Sequence, residues 1–187
     1  MKSKMAALAA GLLAAGLIGT MHDAAAQQKG TAPLSLAMVD AQQLVQNSEA
    51  AKSIRTQLEK VRTDYQAAVK TEQEDLQKLD QSVAAQRGTL SADDYQKKVQ
   101  EVRQKAQDLQ RDVQQRQAKL GTAERTALQK VETTITEIVN DLRKEKKYTM
   151  VMSRIAFIGT TDIPDVTQDV MKRLNEKLPS VTVEIPQ

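Results

Sequence analysis

The sequence predicts an α+β, mainly helical protein: a long antiparallel coiled-coil hairpin projecting from a small β-body whose copies share their strands. Three observations predict it. One Phe, three Tyr and no Trp among 187 residues cannot fill a thick globular core, and 27% charged residues suit long solvated helices. Two helical stripes lie in mirror register about the break RGTLSADD, residues 87–94. Short apolar runs occur only before and after these helices, as in a small sheet assembled from both chain ends.

Residues 1–26 read as a signal peptide. Lys2 and Lys4 precede the apolar run Met5–Thr20, and Ala24, Ala25 and Ala26 supply the small residues of a cleavage site. The run is short for a membrane span. The mature chain is therefore expected in the periplasm, cut after about Ala26, and the absence of Cys excludes a lipoprotein signal. Residues 27–33 (QQKGTAP) form a flexible leader. LSLAMVD, 34–40, reads as a strand ending on Asp40, which starts a helix over AQQLVQNSEAAK. Asn47 or Ser48 caps the next helix, with Glu49 in its first turn, so 34–48 belongs to the body.

The arm spans 49–127. Its first helix places Ile54, Leu58, Val61, Tyr65, Val69, Glu72, Leu76, Leu79 and Val83 at mostly alternating steps of four and three. Gly88 fits the C′ position of this helix, and Ser91 the N-cap of the next with Asp94 three residues on. The second helix repeats the spacing with Tyr95, Val99, Val102, Ala106, Leu109, Val113, Gln117, Leu120 and Glu124. Folding the chain at Thr89 sets Val83 against Tyr95, Leu79 against Val99, Leu76 against Val102, Val69 against Leu109, Tyr65 against Val113 and Leu58 against Leu120. Glu72–Ala106, Val61–Gln117 and Ile54–Glu124 make poor layers, and Gly121 sits inside the second helix, so the arm should bend. Roughly forty residues of helix extend about 60 Å.

Residues 128–178 return to the body. Leu128, Val131, Ile135, Ile138 and Leu142 form a stronger stripe, displaced by one residue from Ala127. YTMVMSR (148–154) and IAFIG (155–159) read as strands, and Asp165 or Thr167 caps a final helix, VTQDVMKRLNEKL. Residues 179–187 form an edge strand or a loose tail. So small a sheet has exposed edges, and pooling strands between copies removes them. Leu36, Met38, Val151, Ile155 and Phe157 are the candidates for that shared core.

The chemistry classes narrow quickly. The one His, His22, lies in the expected signal peptide, so zinc sites, thiol chemistry and His-based triads are not expected. There is no phosphate-binding loop of the G-x-x-x-x-G-K-[ST] type and no G-x-S-x-G elbow. No enzyme, metal site or cofactor is expected. From Lys52 to Lys147 there are 20 basic and 16 acidic residues. This mild surplus allows a weak contact with anionic membrane surfaces, whereas interspersed acids and export argue against nucleic acid.

LAMVDAQQLVQNSEAAK, the charged helical hairpin, KKYTMVMSRIAFIG and DIPDVTQDVMKRLN together resemble the Skp (OmpH-like) periplasmic chaperones over about residues 34–175. The resemblance implies a homotrimer with three hairpins around a cavity, and an ATP-independent holdase for unfolded outer-membrane proteins. The tail after Asn175 is longer than the family's motif, and no client-contact residue carries over. The alternative is a structural coiled-coil spacer or adaptor of the cell envelope.

Overall fold

The computed structural model of the protein describes residues 34–157, 159 and 162–187. The expected signal peptide, its cleavage near Ala26 and the leader lie outside the described residues. Two strands, β1 (Leu36–Val39) and β2 (Met150–Ser153), pair in parallel, with Leu36 beside Met150 and Met38 beside Met152. Among the described residues there are four α-helices: α1 (Ala41–Asn47), α2 (Glu49–Ala85), α3 (Ala92–Glu145) and α4 (Thr167–Lys177).

Short polar side chains place the helix starts. Asp40 accepts the Gln43 N–H, Ser48 that of Ala51, and Ser91 that of Asp94. Each satisfies a donor that the first turn leaves unpaired. Ser48 is fully buried, and it both ends α1 and starts α2. Helix α3 stops without glycine. Lys147 takes a left-handed φ of 58°, the Tyr148 N–H reaches the Arg143 carbonyl and the Lys147 N–H that of Lys144. These are the paired bonds of a Schellman ending.

Gly88 is not the C′ residue that its type suggested. Gln86 is the C-cap, so C′ falls on Arg87, and the φ of Gly88 is not left-handed. Successive bonds, Arg87 N to Ala84 O and Thr89 N to Gln86 O, turn the chain instead.

β1 is held on both edges. β2 lies on one side; on the other, the Met38 N–H bonds the Pro164 carbonyl at 2.8 Å and the Val166 N–H bonds the Met38 carbonyl at 2.9 Å. The expected strand at 155–159 is not found in the described part of that segment. Arg154–Ala156 form a 3-10 turn, closed by the Phe157 N–H on the Arg154 carbonyl and tied to Asp165 by Arg154. The hydrogen bond and the ion pair bend the chain out of the extended form that a strand needs. Asp165 accepts the Thr167 N–H at the start of α4, and the Thr167 hydroxyl accepts the Asp40 N–H.

One apolar cluster holds the body: Ala37 and Val39 of β1, Leu44 of α1, Ile54 and Leu58 of α2, Ala123 through Leu142 on the inner side of α3, Val170 and Leu174 of α4, and Val181. The inner stripe of α3 is continuous, through Ala123, Ala127, Val131, Ile135, Ile138 and Leu142. The displacement expected at Leu128 does not occur. The reason lies one turn back: Gln117 and Glu124 are exposed, while Arg116 is half-buried and Ala123 buried, so the stripe steps 113, 116, 120, 123, 127. Ile54 is accordingly buried with Ala123 in its cluster rather than facing Glu124.

Asp165 illustrates how the body responds to acid. Burial raises its pKa, but hydrogen bonds from the Thr167 side chain and backbone, with the Arg154 charge, outweigh this and hold it below the usual value. A depressed carboxylate stabilises the fold above its unfolded pKa, and that contribution fades as pH falls through the folded value. Urea titrations should therefore lose stability as pH falls below about 4. The fall should be shallower in Asp165→Asn.

Candidate functional site

Beyond the cluster of the body, α2 and α3 meet along a thin seam. Leu58 and Val83 are buried, but Tyr65, Val69, Leu76, Leu79, Tyr95, Val99, Val102, Leu109, Val113 and Leu120 are only half-buried. Polar residues fill the other faces, and among the described residues nothing covers the stripe from outside. Two of the open clefts on this helix pair lie along the stripe. One of about 540 Å³ has Leu76, Leu79 and Leu109 in its lining with Glu72, Asp75 and Lys105 among its charged residues. The other, of about 310 Å³, is lined by Tyr65, Val69, Val113 and Leu120 together with Arg62 and Arg116.

Arg116 separates them. Its guanidinium bonds Glu72 at 2.7 Å across the seam, lies 2.5 Å from Asp112 on its own helix and stands 5.5 Å from the Tyr65 ring centroid. The Glu72 hydrogen bond raises the Arg116 pKa above its ordinary value, against the lowering effect of burial. Nη1 is buried without a partner. Glu72 thus meets Arg116 rather than Ala106, which is exposed. Counting apolar residues passed over Arg116; its spacing of three from Val113 and four from Leu120 was the available signal.

Gly121 lies on an exposed, unbroken stretch of α3, and a Cβ there would meet nothing within 4 Å. Gly121→Ala should stabilise the arm by about 0.5–1 kcal/mol, because Gly gives up more backbone freedom than Ala on entering a helix. A thermal melt followed by circular dichroism at the helix band reads this.

The sheet presents a second surface. Cross-strand partners share a face and successive residues alternate. Leu36, Met38, Met150 and Met152 therefore lie on one face, whereas Ala37 and Val39 are buried on the other, with Val151 packed against the core beside them. Of the five residues expected to form a subunit core, Leu36 and Met38 stand on the outer face. Val151 is corrected to the inner one, because it pairs with Ala37. Ile155 is 87% exposed in the 3-10 turn, and Phe157 is half-buried just after it. Met150 and Met152 complete the outer face and were missed, since their pairing with Leu36 and Met38 depends on register. Among the described residues, nothing pairs with the far edge of β2.

The C-terminal residues are neither an edge strand nor a loose tail. The Gln57 side chain of α2 binds their backbone at Val181 and Val183, and Val181 is buried in the core cluster.

The fold matches a crystal structure from Caulobacter crescentus CB15, described as that of a candidate outer membrane chaperone (OmpH-like). The TM-score is 0.76 at 20% identity, over 84% of this chain and 94% of that one. None of the curated proteins matches this chain. The family model for Outer membrane protein (OmpH-like) matches residues 35–174, from just before β1 into α4. The chain belongs to the Skp (OmpH-like) family.

Proposed function

We propose that the protein is an ATP-independent periplasmic holdase that keeps unfolded outer-membrane proteins from aggregating. In this reading α2 and α3 form an antiparallel coiled-coil arm, and three chains join through their sheets to set three arms around a client. The observation that carries it is the half-covered seam: two apolar clefts with charged rims, open to solvent and beyond the packed body. Such a surface offers many weak contacts and no deep groove. A client is then held loosely and leaves without fuel. The outer apolar face of β1 and β2, with Met150 exposed, and the edge of β2 that is unpaired among the described residues support assembly.

The test is dilution of a urea-unfolded β-barrel protein into buffer with and without the mature chain. Light scattering should fall to a small fraction of the control at a slight molar excess of trimer. Equal scattering in both samples would sink the holdase reading and favour a structural spacer.

A further inference from the structure

The segment after α4 is held in a manner that reveals a ligand class. Gln57 donates from Nε2 to the Val181 carbonyl at 2.7 Å and accepts the Val183 N–H on Oε1 at 3.0 Å. A residue in a parallel β-strand bonds its neighbour in this way, with one donor and one acceptor bracketing a single residue, here Thr182. The amide is itself fixed, since Nε2 also reaches the Ser53 carbonyl at 3.2 Å and hydroxyl at 3.0 Å.

The side chains show the matching period of two. Val181 is buried in the core cluster and Val183 and Ile185 pack against it, while Thr182 and Glu184 are exposed. Glu184 lies 3.7 Å from Lys130, so this strap reaches from α2 to α3 at the root of the arm. The contacts read main-chain atoms and alternate apolar side chains, and nothing in them demands one sequence. This is the chemistry by which folded domains take up extended peptides. The family match ends at residue 174, so the strap lies outside the matched region.

We propose that the site around Gln57 binds an extended segment of an unfolded client with apolar residues at alternate positions, and that residues 179–187 occupy it as a displaceable competitor. The proposal rests on the holdase reading and adds to it a defined site. Membrane-barrel strands carry that alternation. Once unfolded, they present it on a backbone with free donors and acceptors. The strap weakens client binding in proportion to the fraction of time that it is seated.

The experiment uses the mature full-length chain and its Val181→Asp variant, in which a carboxylate at a buried position expels the strap but leaves Gln57 in place. The probe is a fluorescent peptide, LPSVTVEIPQ, followed by anisotropy. It should bind Val181→Asp at least about tenfold more tightly than the parent, because only the variant has the site free. A peptide of the same composition with the alternation broken should not bind, and Gln57→Ala in the variant background should lose binding. Unfolded β-barrel protein should displace the probe. No binding to Val181→Asp with its helix content unchanged, or binding indifferent to Gln57, would overturn the site. Failure of the unfolded protein to displace a bound probe would overturn its assignment to clients. Light scattering with the parent chain is scored separately: protection there without peptide binding leaves the holdase reading standing and removes this one.

Discussion

Met150→Asp combined with Met152→Asp should convert the proposed trimer to monomers. Both side chains lie on the outer sheet face beside Leu36 and Met38, and Met150 is half exposed in the single chain. If three copies cover that face, two added carboxylates per chain must either be buried unpaired or keep the copies apart. An isolated carboxylate costs several kcal/mol to bury, which exceeds what a small interface can offset. If the proposed trimer forms, sedimentation at micromolar concentration should shift from trimer to monomer, with circular dichroism unchanged because neither residue belongs to the body's core. Val151→Asp is the contrast. It pairs with buried Ala37 and should unfold the body rather than merely separate copies. A double Met variant that sediments as the parent does would show that the sheet face is not the interface.

Leu142→Ala should destabilise the protein by roughly 2–5 kcal/mol, the range for removing a fully buried leucine from a packed core. Leu142 is fully buried near the end of α3, in the cluster that also holds Leu44 and Leu174. Leu79→Ala, in the half-covered seam, should cost about 1 kcal/mol or less, because its side chain gives up less contact and water already reaches the site. Urea unfolding monitored at the helix band separates the two. The difference matters for the proposed activity. Stability is concentrated in the body, and the arm is held by a thin stripe and, among the described residues, one cross-helix ion pair, Arg116–Glu72, that local opening can break without unfolding the whole.

Local signals made much of this fold legible. Asp40, Ser48 and Ser91 announce their helices because a cap needs only a short side chain and the next three residues. Tyr65 to Val83 and Tyr95 to Val113 announce themselves by spacing. What stayed hidden depends on partners distant in sequence. Arg116 enters the seam because Glu72 and Tyr65 wait for it on the other helix, and charge alone marks it as surface. Met150 and Met152 join the outer face only through their register with β1. Ile155 reads as strand by composition, yet the pull of distant Asp165 on Arg154 holds the segment in a 3-10 turn. Gln57 looks like one more solvated helix residue until residues 181–183 are laid against it.

The body is made from the two ends of a long detour. Ser35 and Thr149, which hydrogen-bond to each other, lie 114 positions apart. A newly made chain cannot finish its sheet until every residue of the detour has emerged. Left floppy, the intervening residues would oppose closure with considerable entropy. Zipping from the turn at 86–91 downward removes that burden step by step, since each new helical layer brings the ends nearer. The prongs would then have a second role, as the guide that delivers a late strand to an early one.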